Sequence, residues 1–226
     1  MCSKEELIET YKKIDKESLN KKRKILDTLK DRGQLTVEDN IVQNSNICFV
    51  LSCPGEKELL EGRVCCGDTG ANLEKLISEL LGCNWISITE GGNNGDERRY
   101  NFNIINASDR VYFRGYNGKS EPSDDEVKSP DNIERIEQEI SKSYIEYFVL
   151  CGEKAELLQT DLAKIKDKAK FSTVCHLGDV GIRNTYRISK TKTVTGKMLA
   201  SVPEEDRDSE RIKLIAKTIK NDFCKE

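Results

Sequence analysis

Short, continuous apolar runs of the length that suits buried strands recur along the chain. They are Ile47–Ser52, YFVLCG at 147–152 and FSTVCH at 171–176, the last ending on the only histidine. WISIT at 85–89 and YNFNII at 100–105 read as two further strands flanking a polar turn, EGGNNGDERR. Between these runs the spacing is helical. Ser3 to Arg32 reads as a helix broken near Ser18 and Leu19, with Ser3 and Glu6 as a capping box, Leu7, Tyr11 and Ile14 on one face, and Gly33 as the stop. Asn72 to Leu81 places Leu73, Leu76, Ile77, Leu80 and Leu81 on one face, and Asn132–Ser143 and Glu153–Lys166 are helical. Asp208–Phe223 turns Ile212, Ile215, Ala216 and Ile219 inward. Strands alternating with helices predict an α/β three-layer sandwich around a mostly parallel sheet of four to five strands. The whole chain, 1–226, reads as a single domain: a helical segment over 1–33 and an α/β core over 47–223.

One connection breaks the pattern. From Cys53 to Gly70 the chain runs CPGEKELLEGRVCCGDTG, far longer than a strand-to-helix joint needs. Ligands of parallel α/β sheets bind beyond the carboxyl ends of the strands. This loop, Asn106 at the end of NIIN, and the loop after His176 are all expected there.

Composition narrows the chemistry. Charged residues make up 34% and hydrophobic residues 36%, and the net charge is -3, which disfavours a broadly basic nucleic-acid surface. Charge is uneven, however. Residues 183–197, RNTYRISKTKTVTGK, carry five basic residues and no acid, whereas PEEDRDSE is acidic and SEPSDDEVKSPDNIE, with Pro122 and Pro130, reads as an acidic loop too polar for the core. Nine cysteines include no C-x-x-C pair and meet one histidine, a poor set for zinc, so Cys48, Cys151 and Cys175 read as small core residues. No metal or cofactor is expected. Without an apolar run of membrane-spanning length or a leader-like start, the reading is a cytoplasmic monomer with no membrane partner.

Four segments, in order, resemble the uracil-DNA glycosylase superfamily, nearest to its thermophile-type branch. That branch carries G-E-x-P-G, six residues, G-R-P-F-x-G-x-x-G and a leucine-rich helix. Here Pro54-Gly55, the six residues Glu56 to Glu61, Gly62-Arg63, Gly67 and Gly70 fall at the same spacing. NFNIINA is similar to the strand ending in the base-reading Asn, which falls on Asn106. YIEYFVLCGEKAELL is similar to the I-x-x-L-G-x-x-A helix start, and VCHLGDVGIRN to the H-P-S-x-x-x-R loop, with His176 and Arg183 at matching positions. The likeness runs from about Ile47 to Arg183. There are departures. Ser52 and Cys53 stand where the branches of the family place a catalytic acid, Cys65 replaces the base-stacking aromatic, and the cluster-binding cysteines are absent.

The resemblance implies a DNA glycosylase that cleaves an N-glycosidic bond and leaves an abasic site, in DNA repair or in antiviral defence. Small residues lining the loop point to a modified, damaged or foreign base. His176 is expected to stabilise the departing base, and Asn106 to read a pyrimidine edge. Without the usual acids, Glu56, Glu58 and Asp68 are the candidate carboxylates inside the loop, with Glu56 and Glu58 preferred for catalysis. Cys53, Gly55, Cys65 and Asp68 would line the base site. Asn72 at a helix start, and Arg183, Arg187, Lys190 and Lys192, would meet phosphates, while Leu177 or Ile182 would wedge into the minor groove. Arg98 and Arg99 form a second, weaker phosphate candidate. The alternative is a catalytically silent glycosylase-fold module that binds nucleic acid or a nucleotide.

Overall fold

The computed structural model describes residues 2–15, 18–87, 95–185, 199 and 201–224. Two helices open the chain, α1 (Lys4–Lys13) and α2 (Leu19–Asp31). Ser3 caps α1 through the expected box with Glu6. Strand β1 (Ile47–Leu51) leads through α3 (Glu56–Glu61) into α4 (Asp68–Gly82). A 3-10 helix, Gly95–Asn101, precedes β2 (Asn103–Asn106). Then come α5 (Arg114–Asn117), α6 (Asp124–Val127), α7 (Pro130–Ile140) and β3 (Tyr147–Cys151). The chain continues through α8 (Glu153–Glu156), α9 (Gln159–Ile165), β4 (Lys170–Val174) and α10 (Asp179–Thr185), and the last long helix is α11 (Arg207–Phe223).

The four strands form one all-parallel sheet in the order β2-β1-β3-β4. Side-chain alternation along β1 divides the core. Ile47, Phe49 and Leu51 enter one cluster with residues of α1, α2, α4 and α11. Cys48 and Val50 enter the other, with residues of α6, α7, α8 and α9. Apolar side chains thus cover both faces of the sheet, which is the physical basis of the three layers. Leu73, Leu76 and Ile77 on α4 are fully buried, and each contributes about 2 kcal/mol by leaving water. No helix of the described residues is long and apolar enough to cross a membrane.

Three expectations need correction. Trp85–Ser87 is not a strand, and Ile88 and Thr89 lie outside the described residues. Trp85 instead stacks on Phe223 (ring centroids 5.3 Å apart) and packs edge-on against Tyr147, closing the amino end of the sheet. The 85–89 and 100–105 runs therefore give one strand, β2. The Glu153–Lys166 helix is interrupted at Leu157 and Leu158, whose side chains turn into or against the second core cluster. The acidic 120–134 stretch is not wholly outside the core, because Val127 and Ile133 contribute to that same cluster.

Candidate functional site at the carboxyl edge of the sheet

The long loop after β1 is ordered by one carboxylate. Glu58 Oε2 accepts the Gly55 N–H at 3.1 Å, and its Oε1 accepts the N–H groups of Cys66 and Gly67 at 3.2 Å each. An anion therefore already occupies the amino end of α4, where the helix dipole favours one. The loop doubles back tightly: a Cβ built on Gly70 would lie 1.8 Å from the Cys65 carbonyl oxygen, so no other residue fits there. That carbonyl also accepts from Arg99 Nε at 3.0 Å. Glu56 leaves the loop altogether and accepts the Tyr11 hydroxyl at 2.6 Å, joining α3 to α1. Both candidate acids thus carry structural hydrogen bonds.

Cys65 is buried, and burial pushes its thiol pKa up. Cys53 is half-buried, with its Sγ 3.6 Å from the Ser120 carbonyl oxygen. Burial pushes the Cys53 thiol up to about 12, so it is protonated and no activated nucleophile at neutral pH. Asp68 is exposed in the first turn of α4.

His176 lies two residues past the end of β4, just ahead of α10. The Gly178 N–H donates to its Nδ1 at 3.0 Å. Burial lowers the imidazole pKa, against an opposing pull from Glu121. A neutral ring whose Nδ1 accepts must carry its proton on Nε2, so this side chain offers one N–H donor. The backbone wraps the histidine closely, since a Cβ on Gly181 would lie 2.4 Å from the His176 carbonyl oxygen.

Asn72 joins this loop to the first one. Its Nδ2 donates to the Leu177 carbonyl and to Asp179 Oδ1, both at 2.9 Å. Because α4 begins at Asp68, Asn72 stands in its second turn and is buried, acting as a clamp between loops and not as an exposed phosphate contact. Leu177 and Ile182 are 0% and 3% exposed and belong to the core, so neither projects as a wedge. Among the described residues of this segment, the apolar side chain presented outward is Val180, 73% exposed in the first turn of α10. Its signal in the sequence was hidden by two larger neighbours. Arg183 is exposed and pairs with Asp208 at 3.1 Å and Asp179 at 3.9 Å. Arg187, Lys190 and Lys192 lie outside the described residues.

Asn106 stands on the opposite edge strand. Its N–H and Nδ2 donate to Asp39 Oδ1 at 2.9 and 3.2 Å, and its carbonyl accepts from Arg135 Nη2 at 2.9 Å. Arg135 also pairs with Asp39 at 2.7 Å and Glu139 at 3.0 Å. The parallel register Leu51↔Asn106 places it at the level of the loop after β1. Two strands, β1 and β3, separate β2 from β4. The clamp joins the first and last segments of the expected site, whereas Asn106 is held by its own edge. Arg98 and Arg99 both pair with the nearly buried Glu74 on α4, fixing the 3-10 helix to that helix. A cavity of about 940 Å³ has Ser108, Asp109, Tyr112, Asn132 and Arg135 among its walls and none of the candidate site residues expected from the sequence. Among the described residues, no group of three or more His, Cys, Asp or Glu converges as a metal site. The chain matches no protein-family model and no curated protein sequence.

Proposed function

We propose that the protein is a DNA glycosylase of the uracil-DNA glycosylase type, hydrolysing the N-glycosidic bond of a modified, damaged or foreign base. The observation that carries the reading is His176: a neutral imidazole at the carboxyl edge of a parallel sheet, its Nδ1 occupied by a backbone N–H and its Nε2–H without a partner among the described residues. As the bond to the sugar lengthens, negative charge gathers on the base, and a fixed neutral donor stabilises it without first having to lose a proton. Extrusion of the nucleotide needs a group to fill the vacated stack, and Val180, four residues beyond His176, is the exposed apolar side chain of that segment.

The test is direct. The pure protein is incubated with duplexes carrying uracil, hydroxymethylcytosine or glucosylated hydroxymethylcytosine, and alkali-labile sites are counted. Strand breaks at one of these bases support the reading; intact strands at every one count against it. A second reading, a silent glycosylase-fold module, is favoured by the bonds that already engage Glu56, Glu58 and Asn106. Retention of an abasic-site duplex without any base release would select it.

A further inference from the structure

A glycosylase site needs a carboxylate or its equivalent near the sugar, because a cation develops at C1′. Of the four acids of the first loop, Glu58 is engaged on three backbone amides and Glu56 on Tyr11, while Asp68 is exposed in the first turn of α4. A different acid stands over the same edge. The segment between α5 and α6 crosses Cys53, whose Sγ lies 3.6 Å from the Ser120 carbonyl oxygen. Two residues on, Pro122 is buried, and Ser123 caps α6 by accepting the Glu126 N–H. Glu121 is thus pinned from both sides while its own side chain is exposed. Among the described residues its carboxylate has no hydrogen bond or ion pair, for the nearby Lys154 is taken by Asp124.

Its electrostatic field locates it further. Glu121 acts on Cys53 after β1, on Lys154 after β3 and on His176 after β4. Only the carboxyl edge of the sheet is common to all three. The sequence hid this residue, since Glu121 belongs to an acidic stretch that reads as solvated surface and lies outside every segment resembling the glycosylases.

Resting on the glycosylase reading above, we infer that Glu121 is the catalytic carboxylate of the site, supplied by the α5–α6 connection and not by the loop after β1. In the reaction a water oxygen forms its bond to C1′ while the C1′–N bond breaks and its electron pair stays with the base. The proton lost by the water passes to Glu121. The base anion, held by His176 Nε2–H, takes a proton from solvent as it leaves, and Glu121 returns its own to solvent.

Because the chain has one histidine, a single set of imidazole resonances reports on the site. Two readouts on wild type and Glu121→Gln separate the possibilities: the NMR titration of His176, and base release from the duplex that wild type cleaves. The inference expects the His176 pKa to fall in the variant, because a neighbouring negative charge is gone, and base release to drop about 100-fold while abasic-duplex affinity stays within threefold. An unchanged His176 titration overturns the placement whatever the activity. A shifted titration with base release within threefold of wild type overturns the catalytic role and leaves the glycosylase reading standing. If wild type releases no base, the glycosylase reading fails first and this role falls with it.

Discussion

The two edges of the sheet treat their polar side chains in opposite ways. At the β2 edge, Asn106, Asp39, Arg135 and Glu139 form a closed network whose members satisfy one another around the buried Asp39 and Asn106 side chains. At the carboxyl edge beyond β1, β3 and β4, among the described residues, His176 holds one backbone bond and keeps a donor unused, Glu121 stands unpaired near Cys53, and Val180 faces solvent. Closed buried networks fix a fold, because breaking any member leaves its partner desolvated and alone. Groups kept in position yet left unsatisfied are what a ligand can engage. The comparison assigns stability to the first edge and chemistry to the second.

The largest expected effect belongs to the closed edge. Asp39→Ala removes the buried carboxylate that Arg135 and Asn106 share and leaves the Asn106 amides without that acceptor, and should cost about 3 kcal/mol or more in urea denaturation. A loss below about 1 kcal/mol would erase the contrast. Glu58→Gln comes next. The variant keeps the shape but loses the charge that three amides share, so about 2 kcal/mol should disappear. If base release fell 100-fold while the denaturation midpoint stayed put, Glu58 would be a catalytic acid after all.

A smaller effect follows from the histidine. Burial holds its folded pKa below the ordinary 6.5. Between the folded and unfolded values the unfolded chain binds the proton and the folded chain does not, so stability rises with pH across that window. It falls as pH is lowered through the window, and the group contributes nothing to the slope above it. Protonation at Nδ1 also expels the Gly178 N–H. Denaturation midpoints at pH 5.5 and 7.5 should differ less for His176→Gln than for wild type, and an equal difference would place the imidazole in water. Smallest is Val180→Ala, expected to change stability by less than about 0.5 kcal/mol yet to weaken binding to an abasic duplex several-fold. Unchanged binding would remove Val180 from the interface.

Much of the fold was legible because apolar periodicity records burial directly: β1, β3, β4, α4 and α11 fall where the runs at 47–52, 147–152, 171–176, 72–81 and 208–223 indicate. The 85–89 run misled because an aromatic can be buried by ring stacking as well as by a strand, and Trp85 takes the first course. The site was less legible. Which acid is free depends on which backbone amides and hydroxyls reach the others, and that is tertiary information. Spacing within one loop cannot reveal that Glu58 caps its own turn or that Glu56 faces Tyr11. Nor can it tell an outward Val180 from an inward Leu177, three residues apart on one short segment.

The most direct test compares wild type with His176→Ala on a duplex whose modified base the wild type removes, measuring single-turnover base release and affinity for the abasic product. Loss of one fixed donor to the departing base predicts a fall of about 100-fold or more in release with product affinity nearly intact. Release within a few-fold of wild type would contradict the account, for the imidazole would then have no part in breaking the bond.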